Sequence, residues 1–307
     1  MNNGNNSNPK QQSKKSLNNT MEVTESVGLL TFLIKNISGK SRNNIKSLLA
    51  HREVTVDGIV QTKFDFNLRA GQKVNINNPA ARAQKYEKEP EIIYEDADII
   101  VINKPAGLVA VATTEEKENT AYSILTDYIR RKNPDNRIFI VHRLDRDTSG
   151  VLLAAKNEEM KFALQNNWAE LVTDRRYVAI VEGRLENKSG RVISWLRQTK
   201  TLLMYSSNTA GDGLEAITNY KVLEENKFYS MVDIHLETGR KNQIRVHMKD
   251  LGHSVAGDKK YGAETNPLKR LGLHACKLEL KNPVTGKLMT FESPIPASFN
   301  AMFKKTL

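Results

Sequence analysis

Apolar residues are unpatterned through residues 1–21, periodic from Val27 onward, and grouped in short dense blocks beyond residue 90. The first stretch is rich in Asn, Ser and Gln, carries Lys10, Lys14 and Lys15, and has no carboxylate before Glu22. It cannot build a core, and a disordered tail is expected there. Next, Leu29, Leu30, Phe32, Leu33, Ile34 and Ile37 follow a helical repeat. Ser41 is placed to cap a second helix, in which Ile45, Leu48 and Leu49 form the apolar stripe while Arg42 and Lys46 share another face. Val54, Thr55 and Val56, an Asp57-Gly58 turn and Ile59 read as a hairpin, and a last strand follows at residues 73–76 after the Ala70-Gly71 turn. The pattern predicts a small α/β module over residues 22–78. Residues 79–90 lose the period and are expected to form a linker with some helical character.

Beyond it, residues 91–307 read as a larger domain. Strands are expected at residues 91–94 and 99–102, the second bent away at Lys104-Pro105. Asn119 or Thr120 can cap a helix bearing Ala121, Ile124, Leu125, Tyr128 and Ile129, which Asn133-Pro134 stops. A further helix after Asn157 carries Met160, Ala163, Leu164 and Trp168 at helical spacing. Strands follow at residues 176–183, 193–196, 202–205 and 230–236. The last turns at Gly239 into a helix with Ile244, Met248 and Leu251 on one face, closed by Gly252.

Composition narrows the partners. The formal net charge of +11 over 307 residues favours a polyanion such as nucleic acid. Cys276 is the sole cysteine, so neither an intrachain disulfide nor a cysteine cluster for zinc can form, and a reducing compartment is the natural setting. The six histidines lack metal-ligand spacing, so no metal site is expected. No apolar run reaches the ~20 residues that span a bilayer, nor does the amino terminus carry the apolar core of a signal peptide. A soluble, cytoplasmic protein is expected.

The chemistry concentrates in residues 142–150, His-Arg-Leu-Asp-Arg-Asp-Thr-Ser-Gly, a charged loop between apolar runs at 138–141 and 151–155. Loops held by rigid strands are where functional groups tend to sit. A carboxylate flanked by guanidinium groups favours its charged form, which suits a nucleophile or an ion-pairing group better than a general acid. An exposed loop cross-linked by Arg/Asp pairs accounts equally well for these residues taken alone.

The nine residues resemble the signature of the RluA-type pseudouridine synthases, which isomerise uridine within RNA. The resemblance implies that Asp145 is the catalytic residue. Tyr177, in the strand Arg176-Tyr177-Val178-Ala179-Ile180-Val181, resembles the family's active-site tyrosine. Residues 236–247, Leu-Glu-Thr-Gly-Arg-Lys-Asn-Gln-Ile-Arg-Val-His, resemble the motif whose arginine, here Arg245, pairs with the catalytic carboxylate. That motif usually has His where this chain has Asn242, and Asn keeps a donor and an acceptor without a titratable ring. Residues 22–78 resemble an S4 RNA-binding domain, a frequent companion of such enzymes. The implied fold is α+β: an S4-like α/β module followed by a catalytic domain on a mixed, mainly antiparallel sheet.

Making the C-glycoside requires breaking the N1–C1′ bond, turning the base and bonding C5 to the same carbon, so the nucleotide must leave its stack at a cost of roughly a few kcal/mol. Asp145 would act on the sugar, by covalent capture at C1′ or as a base at the neighbouring carbon. Tyr177 would stack on the base and take the C5 proton. Arg143, Arg240 and Gln243 are expected to contact RNA or hold the flipped strand; Arg42, Lys46 and Arg52 are the expected contacts of the small module. Without redox change or group transfer from a donor, no cofactor is expected. The expected partner is RNA, large-subunit rRNA ahead of tRNA, for a monomer that needs no membrane. Two other classes compete: a non-catalytic RNA-binding ribosome assembly factor, supported by Asn242 alone, and a carboxylate-dependent nucleoside or sugar hydrolase, which needs a second carboxylate.

Overall fold

The computed structural model describes residues 19–37, 41–50, 53–76, 89–112 and 119–304, and the chain divides into two units, Met1–Glu87 and Lys88–Leu307. The linker expected at 79–90 falls mainly outside the described residues, as do Arg52 and residues 1–18.

In the small unit, β1 (Asn19–Glu22), β2 (Val27–Gly28), α1 (Leu29–Asn36), α2 (Arg42–Ala50), β3 (Val54–Val56), β4 (Ile59–Val60), β5 (Asn67–Leu68) and β6 (Lys73–Ile76) follow in order. A four-stranded sheet runs β1-β6-β3-β4, and β2 pairs with β5. The hairpin turn is the one the sequence demands: Asp57 and Gly58 both take positive φ, 51° and 81°, as a two-residue loop between twisted strands requires. Asp57 also accepts the Lys73 backbone N–H at 2.8 Å, which locks the turn onto β6. Leu29, Leu33, Ile45, Leu49, Val54 and Val74 form the core, so the stripes of both helices point inward except for Ile34 of α1, which is exposed. One boundary moves: Asn19–Glu22 is not tail but an edge strand, paired antiparallel with β6 from Asn19↔Ile76 to Glu22↔Lys73. Backbone pairing needs no apolar alternation, which is why the Asn-rich sequence hid it.

The large unit contains β7 (Glu91–Glu95), β8 (Ile99–Lys104), α3 (Ala121–Arg130), β9 (Phe139–Ile140), β10 (Ser149–Ala155), α4 (Glu158–Asn166), α5 (Trp168–Leu171), β11 (Val172–Glu182), β12 (Ser189–Gln198), β13 (Met204–Ser207), β14 (Leu214–Glu225), β15 (Tyr229–Leu236), α6 (Gln243–Asp250), β16 (Leu273–Lys281), β17 (Leu288–Glu292) and α7 (Ala297–Ala301). The sheet order is β13-β12-β14-β15-β11-β16-β10-β8-β7. Both faces of β10 are buried, and its alternation sorts Leu152 and Ala154 toward α3 but Val151, Leu153 and Ala155 toward α4. Thr120 caps α3 through a capping box with Ser123, and Asn157 caps α4. The helix expected to continue through Trp168 breaks at Asn167 (φ −118°, ψ 21°), which frees the Trp168 ring to stack on His142 at 4.9 Å.

One pairing differs from the rest of this antiparallel sheet. Strands β10 and β16 run parallel and touch only at Ser149↔His274 and Gly150↔Ala275. Gly150 has φ 113°, and a Cβ there would lie 2.1 Å from the Ala275 carbonyl oxygen, so no other residue fits. On the opposite edge of β16, Ala275 pairs with Tyr177 after a register shift that leaves Cys276 of β16 without a counterpart in β11. The charged loop that enters β10 and the tyrosine of β11 therefore sit one strand apart.

Candidate active site

The loop is fixed from beneath. Leu144 and Thr148 are buried on either side of Asp145, and the Thr148 N–H closes a turn on the Asp145 carbonyl. Lys104, the last residue of β8, is fully buried, and its three ammonium donors reach the carbonyls of Pro105 at 2.9 Å, Leu108 at 2.7 Å and Arg146 at 3.0 Å. Burial pulls this ammonium down to about 7; Asp147 and Asp145 favour its charge and Arg270 opposes it. The Gly107 N–H meets the same Arg146 carbonyl at 2.9 Å. The sequence allows Lys104 either the end of a strand or a direct contact, and the structure has it tie the charged loop to the sheet; a lysine directly closing an apolar strand before proline is the available signal.

Arg245 comes from α6. Its Nη1 donates to Asp145 Oδ2 at 3.3 Å, while Nε and Nη2 form a fork on Asp258 at 2.7 Å each. The expected pair with Asp145 is present, but the tighter partner is Asp258, which is buried. Burial works against the Arg245 charge, yet the Asp258 hydrogen bonds and the Asp145 carboxylate outweigh it and hold the guanidinium above its usual range. The guanidinium lies 4.8 Å from the centroid of the buried Tyr261 ring. Asn242 completes this frame: its Nδ2 donates to the Tyr261 hydroxyl at 2.8 Å and its Oδ1 accepts from Arg245 at 3.3 Å. It stands at φ 55°, a left-handed conformation that Asn tolerates better than most residues. Asn242 is thus a positioning residue whose role needs no titratable ring.

Asp145, Arg143, Tyr177, Arg240 and Arg245 line one open cavity of about 160 Å³, with Leu144, Leu236, Ile244 and Leu273 as apolar wall. A cavity of roughly 150 Å³ accommodates a single six-membered ring. Asp145 is the only carboxylate among the described residues lining it. Burial pushes the Tyr177 phenol up to about 12 against the pull of Arg175, so its hydroxyl is neutral at pH 7. Arg143 is exposed at the rim with no partner among the described residues, whereas Arg240 is exposed but anchored by its Nε on the Glu215 carbonyl at 2.9 Å.

Gln243 departs from expectation. It is buried, its Oε1 accepts from the Thr238 hydroxyl and the Arg240 N–H, and its Nε2 donates to the Ile217 carbonyl and the Thr218 hydroxyl, each within 3.0 Å. With every amide valence used inside the protein, it shapes the strand-to-helix turn and has none left for RNA. His247 extends the same network to Ser194 and Thr218. The Arg42 and Lys46 side chains are exposed on α2, with Lys46 5.2 Å from the Phe64 ring centroid. Among the described residues, no cluster could hold a metal ion, and no helix is long and apolar enough to cross a membrane.

A ring-sized cavity with one fixed carboxylate, an aromatic wall and a cationic rim marks an enzyme acting on a planar ring carried by an anion. The family model for RNA pseudouridylate synthase matches residues 98–250. A Bacillus subtilis protein named uncharacterized RNA pseudouridine synthase YlyB is 33% identical over 272 residues, 86% of this chain and 89% of that one. Ribosomal large subunit pseudouridine synthase D of Nitrosomonas europaea is 33% identical over 284 residues, covering 86% of this chain and 80% of its own length. Among solved structures, human RNA pseudouridylate synthase domain containing 4 shares the fold with a TM-score of 0.56 at 23% identity, over 68% of this chain and 90% of that one. The chain belongs to the RluA-type RNA pseudouridine synthases, isomerases that act on RNA.

Proposed function

We propose that this enzyme isomerises uridine in large-subunit ribosomal RNA, as a monomer, with Asp145 as the nucleophile. The observation that carries the reading is the single carboxylate of the ring-sized cavity, held at 3.3 Å by a guanidinium that is itself fixed by Asp258. A hydrolase built on paired carboxylates lacks its second member among the described residues of this wall.

In this mechanism a uridine leaves its stack and enters the cavity. The Asp145 carboxylate bonds to C1′ as the N1–C1′ bond breaks, and the electron pair of that bond leaves with the uracil. The ring turns against Tyr177, and C5 attacks C1′, expelling Asp145 as free carboxylate. The proton left on C5 departs through the Tyr177 oxygen to water while N1 takes up a proton from water, which gives the neutral C-glycoside; a hydroxyl neutral at pH 7 accepts through its lone pair and relays rather than storing the proton. Arg245 keeps Asp145 aimed, and Arg143 and Arg240 meet the displaced strand at the rim. In the small unit, Arg42 and Lys46 meet phosphates, with Arg52 assigned the same role from sequence alone. Relatives named ribosomal large subunit pseudouridine synthase D support the choice of RNA.

Mapping pseudouridine across all stable RNAs in cells lacking this chain, beside their parent, tests the proposal. The expected result is loss at one or more large-subunit rRNA uridines, restored by the parent chain and not by Asp145→Asn. Loss confined to tRNA would overturn the target, and no loss anywhere would overturn the activity.

A further inference from the structure

Arg245 borders a second cavity, of about 520 Å³, next to the one that holds Asp145. The signature loop divides its side chains between them: Arg143 and Asp145 line the first, Arg146 and Asp147 the second. Six cationic side chains line this second cavity against two carboxylates. Both carboxylates are matched, Asp258 by the Arg245 fork and Asp147 by Arg146 at 3.2 Å. Arg270 is held in place by the Ser149 hydroxyl at 2.6 Å and the Leu273 carbonyl at 3.1 Å. Lys259, Lys260 and Lys269, by contrast, make no side-chain ion pair or hydrogen bond among the described residues, so their three charges face the cavity unspent.

The wall is a built structure. Lys269 sits at φ 54°, a conformation that lysine rarely adopts. Gly257 beside it packs so closely that a Cβ would lie 2.4 Å from the Arg270 carbonyl oxygen. Ammonium groups around a concavity with fixed guanidinium neighbours suit phosphate, which they hold as point charges and forks respectively. A uridine within RNA carries a phosphate on each side, and a strand leaving the first cavity past Arg245 enters the second. We propose that this second cavity is a phosphodiester subsite that grips the RNA backbone on one side of the target uridine; the inference rests on reading the first cavity as the uridine site. Contacts of this kind fix register and orientation without reading sequence.

The test uses the full chain with Lys259→Gln, Lys260→Gln and Lys269→Asn combined, Asn being chosen because it accepts the left-handed backbone. Two single-stranded oligonucleotides extend from the target uridine, one only in the 5′ direction and one only in the 3′ direction. Binding of each is titrated across salt concentrations. For one oligonucleotide, the triple variant should bind roughly tenfold or more weakly, with a salt slope shallower by about 2, since each single-strand phosphate contact contributes about 0.7. The other oligonucleotide should bind parent and variant alike, and turnover at saturating RNA should stay within about twofold.

Unchanged slopes would overturn the subsite. Equal losses for both extensions would show a diffuse field in its place. A fall in saturated turnover at constant affinity would mean that these lysines act through Tyr261 and Arg245. Should the triple variant fail to fold, Lys260→Gln alone should still lower the slope of one oligonucleotide by about 0.7. Because the readout is binding, a chain that bound one-sidedly but formed no pseudouridine would refute the proposed function and leave the subsite standing.

Discussion

The two units hold the cations proposed to serve RNA in opposite ways. On α2 of the small unit, Arg42 and Lys46 stand exposed, with no ion pair among the described residues. In the large unit, Arg245 is enclosed by two carboxylates, an amide and an aromatic ring. An exposed cation contributes through the field it adds, which salt screens and which tolerates movement of the side chain. An enclosed one contributes through geometry, where a displacement of about 1 Å can cost on the order of 10²-fold in rate. Loss of charge in the small unit should therefore be graded and salt-sensitive, whereas substitutions in the large unit should act on turnover or stability.

Asp145→Asn should give the largest effect. An amide is a far weaker nucleophile than a carboxylate, so turnover should fall by more than about 10⁴-fold while RNA affinity stays within about twofold. Single-turnover assays alongside binding titrations check this, and residual turnover within about tenfold of the parent would erase the distinction between the units.

Gly150→Ala should come next, at about 4 kcal/mol or more of stability lost by the large unit. The added Cβ must displace Ala275 backbone at the parallel β10–β16 contact, and the φ of 113° disfavours any L side chain. Denaturant melts provide the measurement, with the small unit expected to keep its own transition unchanged.

Acid sensitivity should also separate the units. Burial pushes His247 and His274 down to about 4, so both are neutral when folded and bind protons more readily when unfolded. Their contribution is fully present above pH 6.5 and is lost as pH falls through 4, on the order of 3 kcal/mol each. The small unit has one histidine, His51, which lies outside the described residues. Melts between pH 7 and 4 should show steep destabilisation of the large unit, and His247→Gln should flatten it.

The smallest effect belongs to Arg42→Gln combined with Lys46→Gln. Affinity should fall only several-fold at moderate salt and the salt slope should drop by about 1 to 2, with saturated turnover unchanged. A loss of saturated turnover would place α2 at the catalytic step and break the comparison.

Local patterns in the sequence carry most of these distinctions. The Asp57-Gly58 turn, the Ser41 and Thr120 caps, and the stripes of α1, α2 and α3 are written in residues adjacent in the chain, and the structure forms them with Ile34 alone turned outward from α1. The motifs carrying Asp145, Tyr177 and Arg245 were likewise visible, and the fold brings all three to one cavity. Long-range partners were not legible. Asp258 looks like any turn aspartate until α6 places Arg245 2.7 Å away, and Lys104 looks like a strand end until three carbonyls surround it. Gln243 erred the other way: its motif position pointed to RNA, but its partners on β14 were too distant in sequence to anticipate. The exposed alternation of β14 and β17 similarly left both strands unread.

The central claim is that the cavity around Asp145 moves the glycosidic bond from N1 to C5 without releasing the base. Its most direct test uses large-subunit rRNA fragments labelled with tritium at uridine C5 and carbon-14 in the uracil ring, incubated with the full chain. One tritium should reach water for each pseudouridine formed, and all carbon-14 should stay in the RNA. Carbon-14 appearing as free uracil would identify a hydrolase, and bound RNA that released no tritium would identify a non-catalytic binder; either result contradicts the account.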